Sequence, residues 1–142
     1  TLFRSTSLSS REFETECVRR HAFWTSPEHE KGDEGYRQNI AEVSAIIDLC
    51  RKHKLCPVLI TTPITDGLNA LYEKDDGFFA LFGQFTADLC AEYPGLTYLD
   101  YSRDDDFSAH HEYFGDADHL NNIGAEKFTK RLVADLKKLD LL

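Results

Sequence analysis

The residues best suited to chemistry in this chain are crowded into Phe114-Gly115-Asp116-Ala117-Asp118-His119-Leu120-Asn121. Asp116 and His119 stand three positions apart just ahead of a helical pattern, and on one turn that spacing puts both side chains on the same side. A carboxylate so placed accepts the imidazole N–H and fixes its tautomer. It also stabilises the imidazolium that forms when the other ring nitrogen takes a proton. His119 is therefore the candidate base and Asp116 its orienting carboxylate. Asp118 reads as a cap of the following helix, with a place in the pocket wall as the alternative. A metal centre made from Asp116, Asp118, His119 and the nearby His110-His111 is disfavoured. Adjacent histidines point in different directions, and neither a His-x-x-x-His pair nor a cysteine-containing ligand set accompanies them. Asp104-Asp105-Asp106 lacks the glycine and distal glutamate of an EF-hand loop and reads as a solvated turn. No metal and no cofactor is assigned.

These residues need a sheet edge to sit on, and the hydrophobic pattern supplies one. Pro57 to Thr62 is short, β-branched and apolar on both alternating faces, and Pro63 stops it, as expected of a strand buried on both sides. A second strand is predicted from Leu96 to Tyr101. Between them Phe78, Phe82, Phe85 and Leu89 recur at helical spacing, and this stripe reads as core and not as a lipid groove. Ile40, Val43, Ile47 and Cys50 mark an earlier amphipathic helix from Tyr36 to Lys54. Ala125, Phe128, Leu132, Leu136 and Leu139 mark a last one from about Ile123 to Leu139. Ser9-Ser10-Arg11-Glu12 has the form of a capping box opening a short helix with Phe13 and Cys17 on one side. Thr25 to Gly35, rich in Pro, Gly, His and charge, reads as an exposed connection or lid. Trp24, with His21 and Phe23, reads as a packing anchor in preference to part of a lid or a sugar-stacking surface.

The order is thus α-β-α-β-α. A strand, helix and strand in succession make a right-handed crossover, so both strands run the same way and their C-terminal ends share the edge where open α/β sheets bind ligands. The loops leaving that edge are 63–76 and 102–122. Two strands alone leave open edges. The expectation is that further strands come from sequence upstream of Thr1, which is not an initiating residue. A strand hidden in the first 35 residues is one alternative, and another copy of the chain is the other, with self-association through the open edges.

At 142 residues and 42% hydrophobic content the chain has the size of one domain, 1–142, in which 1–35 is the less regular part. Its 25 acidic against 16 basic residues give a net charge of −9, which repels a phosphate backbone, so nucleic acid is excluded as a partner. No apolar run reaches the roughly 20 residues of a membrane helix. Cys17, Cys50, Cys56 and Cys90 lack CxxC spacing and read mainly as free core thiols, with a disulfide in an exported protein as the alternative.

Phe114-x-Asp116-x-Asp118-His119-Leu120-Asn121-x-x-Gly124-Ala125-x-x-Phe128-Thr129, together with Ile60-Thr61-Thr62-Pro63, resembles the SGNH (GDSL-like) hydrolase and acyltransferase superfamily over residues 36 to 139. The resemblance implies a flavodoxin-like three-layer α/β/α sandwich with a parallel sheet, here as an incomplete C-terminal portion. It also implies an Asp-His pair, Asp116 and His119, serving a serine, with Leu120 to Ala125 as the turn that sets the final helix. The family's nucleophile belongs to a Gly-Asp-Ser block after the first strand, and its oxyanion hole adds a Gly and an Asn from later blocks. Ser5, Ser7, Ser9 and Ser10 follow no apolar strand or glycine and read as cap and turn residues, while Asn39 falls within a helix pattern. The nucleophile is therefore expected upstream of this chain, and the chain alone is expected to be inactive. The implied substrate is a small-molecule or carbohydrate ester, and the implied setting is extracytoplasmic or in the cell envelope. The alternative is a non-catalytic SGNH-like module that binds glycans or a partner protein.

Overall fold

The computed structural model describes residues 9–26, 32–74 and 76–142. Ser5 and Ser7, and the Phe78 side chain, lie outside the described residues. Helix α1 (Ser10–Trp24) opens on the expected capping box. The Ser9 hydroxyl accepts from the Glu12 amide at 3.4 Å, and Glu12 accepts in return from the Ser9 amide at 2.9 Å. Helix α2 (Gly32–Lys52) begins before Tyr36, so the connection after α1 is shorter than its composition suggests. Strand β1 (Val58–Thr61) is followed by α3 (Asp66–Tyr72), a seven-residue helix where the sequence reads as loop. Its N-cap is Thr65, whose hydroxyl accepts from the Leu68 amide. Then come α4 (Asp76–Glu92) and β2 (Thr97–Asp100). The turn before β2 uses Gly95 at φ 83°, a left-handed position that favours glycine. The segment after β2 is not an open loop. It holds α5 (Asp105–Ser108) and a 3₁₀ turn over His111–Tyr113 before α6 (Asn122–Lys138).

β1 and β2 pair in parallel with Leu59 opposite Tyr98 and Ile60 opposite Leu99. Among the described residues they form a two-stranded sheet. Ile60 is 40% exposed, so β1 is not buried on both faces as its sequence suggests: an apolar strand with one ladder neighbour leaves part of one face open to water. Residues 9–26 are helix or its exit, so this part of the N-terminal region supplies no further strand.

Three clusters hold the chain together. Ile47 of α2 packs with Leu89 of α4, Tyr93 and Leu59 of β1. Tyr101, Phe107 and Phe128 form a second group that includes Leu99 of β2 and Leu132 of α6. The third joins Phe13 and Cys17 of α1, Leu68 and Tyr72 of α3, and Phe114 and Ala117 of the acid-rich loop. Each fully buried apolar side chain of this size contributes about 1.5–3 kcal/mol. The third cluster therefore seats α1, α3 and the loop against one another. The four cysteines are free, but only Cys17 is buried and Cys56 is exposed, so Cys56 is no core thiol. It sits beside Pro57 ahead of β1, outside the helical stripes.

Candidate active site

The loop after the 3₁₀ turn is pinched at its neck. Phe114 and Leu120 form an isolated antiparallel bridge, and the Gly115 amide donates to the His119 carbonyl at 2.9 Å. Within that neck the chain bends without forming a helix, so the proximity of Asp116 and His119 does not come from a helical turn. It comes from Asp116 itself, whose Oδ1 accepts from the Asp118 amide at 3.1 Å and the His119 amide at 2.8 Å. An aspartate that captures the amides two and three residues on is a self-made turn. It leaves His119 Nδ1 at 2.9 Å from Asp116 Oδ1 and 3.0 Å from Oδ2.

Two further anchors fix the loop from below. The Thr65 amide and hydroxyl both donate to the Ala117 carbonyl, at 3.2 and 2.9 Å, and Thr65 and Ala117 are wholly buried. At the far end Asn121 caps α6, its Oδ1 accepting from the amides of Ile123 and Gly124, while its Nδ2 donates to the carbonyls of Glu112 and Phe114. Asn121, not Asp118, is the N-cap, because α6 begins at Asn122, four residues beyond Asp118. Gly124 is required at its position: a Cβ there would lie 2.1 Å from the Tyr113 carbonyl oxygen.

Asp118 instead meets α1. Its Oδ1 lies 2.8 Å from Arg20 Nε in an ion pair whose N–H does not aim squarely at the oxygen, and its Oδ2 accepts from Trp24 Nε1 at 3.4 Å. Arg20 Nη2 also reaches Asp116 Oδ2 at 3.3 Å and approaches His119 Nδ1 at 3.2 Å. Arg20 and Asp118 side chains are only 18% and 15% exposed, whereas His119 is 67% exposed. The His119 ring thus faces solvent and the charges beside it lie underneath. Phe13, Cys17, Arg20 and Trp24 follow at spacings of four, three and four, one face of α1, which is why the helix that packs on the loop also delivers the guanidinium and the indole to it.

Burial raises the Asp116 carboxyl, but the Asp118 amide and the His119 ring outweigh it, so Asp116 is held below its ordinary value. Asp118 moves the other way: burial and the neighbouring Asp116 carboxyl push it up, against the pull of Arg20 and His119. The firmer anion is therefore Asp116, the one that touches the ring most closely. With a proton on Nδ1 donated to Asp116, the Nε2 lone pair is available to take a proton, and among the described residues Nε2 has no hydrogen-bond partner. A cavity of about 440 Å³ adjoins the pair, lined by Thr62, Gly115, Asp116, Asp118, His119 and neighbours. Thr62 follows β1, so the loop does lie at the C-terminal edge of the strands.

No family model, curated protein or solved structure matches this chain.

The ligating atoms of Asp116, Asp118 and His119 lie within 4.8 Å of one another, so these three could hold a cation. The Arg20 guanidinium already stands among them as a positive charge. His110 and His111 do not join the cluster: His110 pairs with Glu112 at 3.0 Å, and His111 pairs with Asp66 at 2.7 Å while stacking on Phe13. Asp104 caps α5, and Arg131 of α6 reaches Asp104 at 3.6 Å and Asp106 at 3.0 Å, so the acidic run is a structural joint and not merely a solvated turn. Asn39 lies in α2 and is exposed, away from the cluster.

Proposed function

We propose that this chain carries the acid–base half of a serine-hydrolase site, as the C-terminal part of an SGNH-like ester hydrolase or acyltransferase. The observation that carries the reading is the His119 ring, held through Nδ1 by Asp116 at 2.9 Å on a side chain that is mostly exposed. In this mechanism His119 Nε2 takes the proton of a serine hydroxyl as its oxygen attacks an ester carbonyl. The resulting imidazolium then returns a proton to the departing alcohol, leaving an acyl-serine. Water, or an acceptor hydroxyl in a transferase, repeats the sequence and frees the serine. The serine and the oxyanion donors belong to sequence upstream of this chain. In the full fold a flavodoxin-like three-layer α/β/α sandwich continues the sheet from the edge of β1 that is unpaired among the described residues, with α2 and α4 on the Leu59 side and α6 on the Leu99 side. In the isolated chain that edge is available to a second copy. The substrate is an acylated carbohydrate or other small ester, and the setting is extracytoplasmic. Among the described residues no helix is long and apolar enough to cross a membrane.

A fluorophosphonate probe tests the reading. The longer polypeptide containing this segment should be labelled on a serine, His119→Ala should abolish labelling, and the present chain alone should stay unlabelled. Labelling that survives His119→Ala refutes the assignment.

One observation favours the second reading, a non-catalytic module that binds a glycan or a protein. Arg20 lies 3.2 Å from His119 Nδ1, and a ring that accepts from Arg20 there carries its proton on Nε2 and is no base. In that case the longer polypeptide is not labelled, and the Asp-His loop serves only as structure.

A further inference from the structure

Asp118 lines a second cavity, of about 430 Å³, whose wall is made by Trp24 of α1, Leu68 and Tyr72 of α3, Phe82 of α4 and Tyr98 of β2. Its volume and apolar, aromatic lining are those of a small-ligand site. Phe82, which the sequence assigns to the core, is instead half-buried in this wall. We propose that this cavity receives the apolar acyl chain of a neutral ester whose carbonyl is presented to His119. The identity of the ligand rests on the hydrolase reading.

Three observations carry it. Asp118 belongs to the walls of both cavities, so the two adjoin at that side chain and a ligand carbonyl beside His119 lies next to the second cavity. Gly83 lines the second cavity from within α4, in a helix interior where glycine is disfavoured. Among the described residues no contact requires it: Gly83 is exposed and a Cβ there would meet nothing within 4 Å, so a larger side chain has room at this edge of the cavity. Lastly, the charges favour a neutral ligand over an anion. Arg103 is paired with Glu73 at 3.3 Å and Asp118 with Arg20 at 2.8 Å, so the cavity wall offers an anion no unpaired cation, and Asp100 on the same wall opposes one. An acyl chain enters as an ester, and the carboxylate left after hydrolysis is repelled.

Trp24 is the single tryptophan of the chain and lines the cavity, so its emission reports occupancy without any turnover. The chain is titrated with methyl octanoate, methyl acetate and octanoate at about pH 8, where a free carboxylic acid is ionised. Methyl octanoate should give a saturable change, methyl acetate none at the same concentrations, and octanoate should bind at least about tenfold more weakly than the ester. Gly83→Leu, which places a side chain in the opening, should weaken the ester by at least about tenfold while leaving the melting temperature equal or higher. Gly83→Ala should fall between. If Gly83→Leu does not fold, Phe82→Ala serves in its place. That variant enlarges the cavity and should shift preference to a longer ester such as methyl dodecanoate. A linear, unsaturable response, equal affinity for octanoate, wild-type binding by Gly83→Leu, or an unshifted preference in Phe82→Ala overturns the assignment. The absence of a probe-reactive serine in the longer polypeptide refutes the hydrolase reading alone, whereas an unsaturable Trp24 response refutes the cavity assignment alone.

Discussion

Asn121→Ala should be among the most damaging single changes near the candidate site, because one side chain ties two segments together. Its Oδ1 accepts from the amides of Ile123 and Gly124 at 2.9 and 3.0 Å, and its Nδ2 donates to the carbonyls of Glu112 and Phe114 at 2.7 and 3.2 Å. Loss of the helix cap costs about 1 kcal/mol. The two donated bonds contribute about 0.5–1.5 kcal/mol each, with the Glu112 bond at the low end because water can replace it. The total is about 2–3 kcal/mol, a fall in melting temperature of about 5–10 °C for a chain of this size. Asn121→Ser separates the two halves of that sum. A serine keeps the cap but reaches neither carbonyl, so it should lose only about 1–2 kcal/mol. Asn121→Asp keeps the acceptor and gains from the helix dipole, yet sets a carboxylate against two carbonyls, and should fall between serine and alanine. Urea unfolding followed by far-UV circular dichroism measures all three. A loss below about 1 kcal/mol for alanine, or equal losses for alanine and serine, refutes the reasoning.

Gly124→Ala places a methyl group 2.1 Å from the Tyr113 carbonyl oxygen and should destabilise by about 3 kcal/mol or more; a melting temperature near wild type shows that the turn can yield. Arg20→Gln leaves the mostly buried Asp118 carboxyl without its cation and should cost about 2 kcal/mol, with Arg20→Lys recovering only part because an ammonium cannot span three groups. Unchanged urea midpoints in Arg20→Gln contradict this. The lowered Asp116 carboxyl contributes stability that is complete above the unfolded aspartate value of about 3.9 and is lost as pH falls through the lower folded value. Asp118, being raised, acts in the opposite sense and weakens the fold as it ionises. Asp116→Asn should therefore be less stable than wild type at neutral pH and lose stability less steeply as pH falls below the unfolded aspartate value of about 3.9, and an identical acid limb rules the linkage out.

The elements legible in the sequence are those with a sustained period or a strong punctuation. The stripe from Ala125 to Leu139 gave α6 within a residue at each end, and Pro57 to Pro63 bracketed β1. Helix α3 escaped because seven residues hold too little of a 3.6 period to stand out from a loop, although Thr65 ahead of Asp66 is a cap signal. The meeting of Asp116 with His119 was legible, but its cause was not. The pair is joined by the aspartate's capture of two amides, and spacing alone cannot tell that from a helical turn. Arg20 and Thr65 were invisible as site residues because their partners lie 96 and 52 positions away. The face Phe13, Cys17, Arg20, Trp24 was the available clue, since a charge in line with an apolar stripe calls for a buried counter-charge.

The antiparallel bridge between Phe114 and Leu120 has a bearing on how such a site can be assembled. Asp116 and His119 are bonded to each other inside one short closed bend, so their mutual placement demands no long-range loop closure, although Arg20 reaches both from α1. A group that reaches this rim from a separate segment meets an imidazole already oriented by its own loop and has no need to rebuild the pair.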